Sequence, residues 1–136
     1  MFLGKLPEAE KQAFLCLANK VMKADGIIEE REMEVINTLR GEMNAPNLVS
    51  NLTEEESYKV FSVSKTPVKK AVYLELLGIA IADGGIVTKE NEVLAEFASR
   101  LRLSDKFTGN ALKWIDHYFS VLQKGISLVS GKPKNK

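Results

Sequence analysis

Ala24-Asp25-Gly26-Ile27-Ile28-Glu29-Glu30-Arg31-Glu32 and Ala82-Asp83-Gly84-Gly85-Ile86-Val87-Thr88-Lys89-Glu90 carry one pattern, Ala-Asp-Gly-x-Ile-x-x-x-Glu. The register continues on both sides. Val21 aligns with Ile79, Glu34 with Glu92, Val35 with Val93, Ile36 with Leu94, Leu39 with Phe97 and Met43 with Leu101. A repeat of this length marks a supersecondary unit used twice. In each copy an apolar helical periodicity runs into the Asp-Gly turn and a second one runs out of it. The sequence therefore predicts an all-α fold built on two pseudo-repeated helical hairpins, packed about a rough two-fold.

Further helices follow outward from the two motifs. Leu6, Phe14, Leu17, Val21 and Ala24 share one face of a first helix, with Pro7 suited to its first position. A second helix is expected from about Glu30 to Met43, turning Met33, Ile36, Leu39 and Met43 inward, with Asn44 and Pro46 ending it. Thr53-Glu54-Glu55-Glu56 reads as a capping box opening a third helix through about Val63. Thr66-Pro67 opens a fourth. Between Ala71 and Ala82 its only charge is Glu75, so this helix is expected to be the buried central one. A fifth begins near Thr88 or Lys89 with Val93, Leu94, Phe97 and Leu101 inward. Ser104 caps a sixth with Phe107, Ala111, Trp114, Ile115, Tyr118 and Leu122 inward. Six to seven helices result, and no strand is expected.

The motif residues have structural roles at these positions. Gly26 and Gly84 fit just past a helix end, where a left-handed residue satisfies the last carbonyls. Ile28 and Ile86 suit the corner between the helices. Glu32 and Glu90 fall in the first turn of the outgoing helix, opposing the positive dipole end or reaching back to an N-cap amide. Asp25 and Asp83 sit at the unfavourable, negative end of the incoming helix. Their charge calls for compensation by the next helix's amides, by a basic side chain or by a cation. Gathered together, Asp25, Glu32, Asp83 and Glu90 would offer hard oxygen donors suited to calcium or magnesium. Gly26 follows Asp25 directly, so the motif is no EF-hand.

Composition narrows the function. The chain has 136 residues, enough for one ordinary domain. Its 19 Lys and Arg against 18 Asp and Glu leave a net charge of +1, which argues against a nucleic-acid binder. One cysteine, Cys16, excludes an internal disulfide or a multi-cysteine zinc site. Cys16 lies between Leu15 and Leu17 and is expected to be a buried, inert thiol. His117, the single histidine, is expected at the surface. The start of the sequence does not read as a signal peptide, and no apolar run reaches the roughly 20 residues that span a bilayer. A cytoplasmic location is expected. No nucleophile is paired with a base and no Gly-rich phosphate loop is present, so no enzyme is expected.

The twin motifs on helical hairpins resemble those of the TerB-like family, the tellurite-resistance protein TerB and related helical domains, over roughly Glu8 to Phe119. The resemblance implies an all-helical domain, taken over 1–128, and the composition of the last residues, without an apolar side chain from Ser130 on, predicts a disordered basic tail over 129–136. The resemblance implies a divalent cation, calcium or magnesium, at Asp25, Glu32, Asp83 and Glu90. It also implies roles in stress or toxic-oxyanion resistance and in assembling complexes at the membrane. A protein partner is expected, with any membrane association peripheral and running through that partner. Glu29 and Val87 depart from the family, which often places Ser or another cap residue three positions before the Glu, and Val87 cannot cap with its side chain. The outgoing helix is then expected to start at Thr88. The alternative reading is a metal-independent adaptor whose acidic face docks a basic partner. Acid–base hydrolysis by the paired carboxylates stands third.

Overall fold

The computed structural model describes residues 2–24, 29–81 and 88–131, and in the last stretch side chains from Glu92 onward. A 3-10 turn at Leu3–Lys5 precedes six α-helices: α1 Glu8–Ala24, α2 Glu29–Glu42, α3 Glu54–Ser62, α4 Thr66–Ile81, α5 Thr88–Arg100 and α6 Asp105–Ser130. The described residues contain no strand, and the fold is all-α.

The helix starts follow local chemistry. At α3 the Glu56 amide donates to Thr53 Oγ1 at 3.1 Å, and the Thr53 amide donates to Glu56 Oε1 at 2.8 Å. This closed box satisfies two amides that the helix leaves orphaned. The Thr53 amide also holds the Glu56 carboxyl below the ordinary glutamate range. Ser104 Oγ accepts from the Phe107 amide at 3.1 Å to cap α6. α5 begins at Thr88, within the expected start at Thr88 or Lys89. The turn residues 25–28 and 82–87 lie outside the described residues, and with them the expected roles of Gly26, Ile28, Gly84 and Ile86.

Cross-contacts fix how the helices run. Lys11 Nζ, early in α1, donates to the Met43 carbonyl past the end of α2 at 2.7 Å, so this pair is antiparallel. Ser64 Oγ donates to Glu10 at 3.1 Å, while Lys20 pairs with Glu54, which sets α3 antiparallel to α1 as well. Tyr73 meets Phe97 at 6.2 Å between ring centroids, and Leu77 shares a cleft wall with Leu94, so α4 and α5 are antiparallel. Tyr73 meets Phe107 at 5.7 Å, and Phe2 joins Glu75 of α4 to Trp114 of α6, so α6 runs parallel to α4.

The repeat reappears where the outer helix of each hairpin stops. Asn44 and Arg102, equivalent positions, both take left-handed backbone, with φ of 56° and 58°. The Ala45 amide donates to the Arg40 carbonyl at 2.9 Å, and the Leu103 amide to the Ala98 carbonyl at 2.9 Å. The Asn44 amide reaches Gly41 and the Arg102 amide reaches Ser99, at 3.1 and 3.2 Å. These are two copies of the Schellman stop, in register. Asn tolerates the left-handed region, whereas Arg does so against a cost of roughly 1–2 kcal/mol.

The core is shared by α1 and α4. α1 packs on α2, α3, α4 and α5, while α4 packs on α1, α5, α6 and the 3-10 turn. Phe14, Leu17, Val21, Leu39, Met43, Leu94, Phe97 and Leu101 are buried, as their periodicity predicts. Three expectations are corrected. Met33 is exposed, because α2 meets only α1 and the 3-10 turn closely and its outer side faces no helix. On α6, Ala111 and Ile115 are buried, but Trp114 and Tyr118 are exposed because they turn aside from that line, and Leu122 is exposed because it continues the line beyond the last packed residue, Phe119. Cys16 is half-buried rather than buried, lining a shallow pocket with Asn19 and Arg40. α6 also continues through Ser130 and closes on left-handed Gly131, reaching into the stretch expected as tail. Residues 132–136 lie outside the described ones. No helix among the described residues is long and apolar enough to cross a membrane.

Candidate functional site

Of the four carboxylates expected to form an acidic cluster, the structure places Glu32. It sits in the first turn of α2 beside Glu29 and Glu30, half-buried at the positive end of the helix dipole. Asp25 and Asp83 lie outside the described residues. Glu90 belongs to the first turn of α5, and its side chain lies outside them too. Among the described residues no group of three or more His, Cys, Asp and Glu side chains is placed to hold a metal ion. His117 is exposed, as expected.

The structure instead brings together a charged layer that sequence periodicity does not reveal. Lys20 of α1 pairs with Glu54 of α3 and with Glu96 of α5, the latter at 3.1 Å. Arg100 of α5 donates from Nη2 to both oxygens of Glu55 on α3, at 2.7 and 2.8 Å, and lies 3.7 Å from Glu96. Acid and base thus alternate across three helices. Burial acts to lower the Lys20 pKa, but hydrogen bonds from Glu54 and Glu96 outweigh it and hold the ammonium above its ordinary value. The Glu55 hydrogen bond raises Arg100 in the same sense. Isolated exposed pairs contribute about 0–1 kcal/mol, and a network holds better than its separate pairs. The layer clamps three helices through groups separated widely in sequence, so no local pattern could have disclosed it.

Tyr58 lies beneath this layer. The Arg100 guanidinium stands 4.1 Å from its ring centroid, and Phe97 packs at 6.2 Å. Its hydroxyl is buried without a hydrogen-bond partner among the described residues. Burial pushes the phenol above its ordinary pKa, with Glu96 and Glu54 adding to the rise and Lys20 and Arg100 opposing it. In the unfolded chain Tyr58 ionises near pH 10, whereas the folded chain retains the proton. Stability from this residue is therefore complete below pH 10 and is lost as pH rises above it. Tyr58→Phe should match or exceed wild-type stability at neutral pH by up to about 1 kcal/mol, since an unpaired buried hydroxyl is removed. It should also flatten the alkaline decline. Urea denaturation at neutral pH and above pH 10 tests both, and a neutral-pH loss beyond about 1 kcal/mol would show that the hydroxyl has a partner.

A cleft of about 500 Å³ opens between α4, α5 and α6, lined by Tyr73, Leu77, Leu94, Ala98, Asp105 and Leu112 among others. Its walls mix these apolar side chains with Ser99, Thr108 and the Asp105 carboxylate. No family model, curated protein or solved structure matches the chain.

Proposed function

We propose that this chain is a TerB-like, non-catalytic module in stress or toxic-oxyanion resistance, tellurite included. In this reading it holds a divalent cation, calcium or magnesium, through Asp25, Glu32, Asp83 and Glu90, and mediates assembly with a protein partner in the cytoplasm. The twin Ala-Asp-Gly-x-Ile-x-x-x-Glu motif carries the reading. Helical hairpins flanking both copies, with matched Schellman stops at Asn44 and Arg102, support it. The donor set is four hard carboxylate oxygens, which a small divalent cation would relieve of mutual repulsion.

A second reading draws on the first turn of α2. Glu29 and Glu30 are exposed beside half-buried Glu32, an acidic face open to a basic partner without metal. Thermal unfolding separates the two readings. For a Kd of about 0.1 mM, calcium at about 1 mM stabilises the folded state by about 1.4 kcal/mol, a few degrees in Tm. Wild type should show that shift against EDTA. Asp25→Asn and Asp83→Asn should each lose most of it, while being no less stable than wild type in EDTA. No shift with calcium or magnesium at about 10 mM would exclude even a Kd of about 1 mM and leave the adaptor.

A further inference from the structure

Along α6, Phe2 stands 6.4 Å from the Trp114 ring and Phe119 packs on the core, and beyond them the apolar side chains of the helix are exposed. Trp114 is 44% exposed, Leu128 84% and Val129 91%, with Tyr118, Val121 and Ile126 also open to solvent. At about 100° per residue, Trp114, Tyr118, Val121 and Leu128 form one stripe about a quarter turn from the Ala111–Ile115 line that packs on the body. A flat surface can therefore meet the stripe along its whole length while the body lies to one side. Exposed Lys106, Lys113 and Lys124 follow the outer edge of the stripe, and Asp105 and Asp116 fall on the opposite side of the helix.

The charge pattern identifies the occupant. From His117 onward the sequence holds four lysines and no carboxylate, in a chain of net +1, which leaves −3 on the first 116 residues. An apolar stripe edged by lysines, with Trp and Tyr upon it, has the composition of a helix that lies in a membrane interface. Two copies paired in parallel through this stripe would bring their lysine-rich ends together, whereas an anionic bilayer answers both the apolar stripe and its charged edge. We propose that α6 binds the surface of an anionic lipid bilayer, its axis in the plane and the Trp114–Leu128 stripe at the acyl boundary. The contact is made by this chain directly, and it stands independently of the cation reading.

Trp114, the single tryptophan, reports the contact. The full-length protein is mixed with vesicles of phosphatidylcholine alone or enriched in phosphatidylglycerol. With the anionic vesicles Trp114 emission should move to shorter wavelength and the protein should co-sediment. Added salt should weaken both effects. Lys113→Gln and Lys124→Gln should each lower partitioning by about fivefold. Val121→Asp and Leu128→Asp should abolish it while leaving the helical spectrum and the denaturation midpoint unchanged, since both side chains are exposed. Equal binding to both kinds of vesicle, or no binding to either, would overturn the proposal. So would a lipid-independent Trp114 shift that grows with protein concentration and disappears in Leu128→Asp, because a second copy would then cover the stripe.

Discussion

Phe97→Ala should destabilise the protein by about 3–5 kcal/mol, the largest loss expected from any single truncation. Phe97 is fully buried on α5, and its ring meets Tyr58 at 6.2 Å, Phe61 at 6.0 Å and Tyr73 at 6.2 Å. These contacts draw α3, α4 and α5 onto one ring. Truncation removes the transfer free energy of the side chain and leaves a cavity among three aromatic groups, two of them anchored on α3. Phe97→Leu, which retains most of the volume, should cost clearly less. Chemical denaturation of both variants supplies the comparison. A loss below about 1 kcal/mol in the alanine variant would mean that the aromatic cluster is not the centre of the core.

Glu75→Ala should follow, at about 2–3 kcal/mol. Glu75 is only 6% exposed, in the most apolar helix of the chain, and accepts from the Phe2 amide at 2.5 Å. A hydrogen bond to a charged group is stronger than a neutral one, and its removal leaves the Phe2 amide without this acceptor. Glu75 thereby ties the start of the chain and the 3-10 turn to α4. Glu75→Gln retains an acceptor oxygen and should recover part of the loss. If the alanine variant unfolds at the wild-type midpoint, the tie contributes nothing to stability.

Local signals carried far in this sequence. The capping box at Thr53, the Ser104 cap and the Thr66-Pro67 start each correspond to an observed helix start. Asn44 was expected to end α2, but the matching left-handed stop at Arg102 had no residue signal. Periodicity failed where it was asked about neighbours. The apolar face of α6 is present as expected, yet an apolar face says nothing of whether another helix is there to cover it, so Trp114, Tyr118 and Leu122 were placed inward. Met33 failed for the same reason. The charged layer of Lys20, Glu54, Glu55, Glu96 and Arg100 was invisible because its members come from three helices and pair across long stretches of chain. Of the acidic cluster, the structure adds the position of Glu32 at the start of α2 and of the Glu90 backbone in the first turn of α5.

The shared direction of α4 and α6 has a consequence for polarity. Tyr73 is level with Phe107, so the last residue of α4, Ile81, comes level with about residue 115 at equal rise per residue. α4 therefore releases the chain toward the second motif near the height of Ile115, the last fully buried residue of α6. α6 is about 39 Å long, and the unsupported part projects from that end of the bundle. On the readings proposed above, both contacts fall at one end of the bundle. A partner that grips the second repeat at its root and a surface that receives the lysine-edged stripe would approach from one side, leaving the opposite pole of the bundle free.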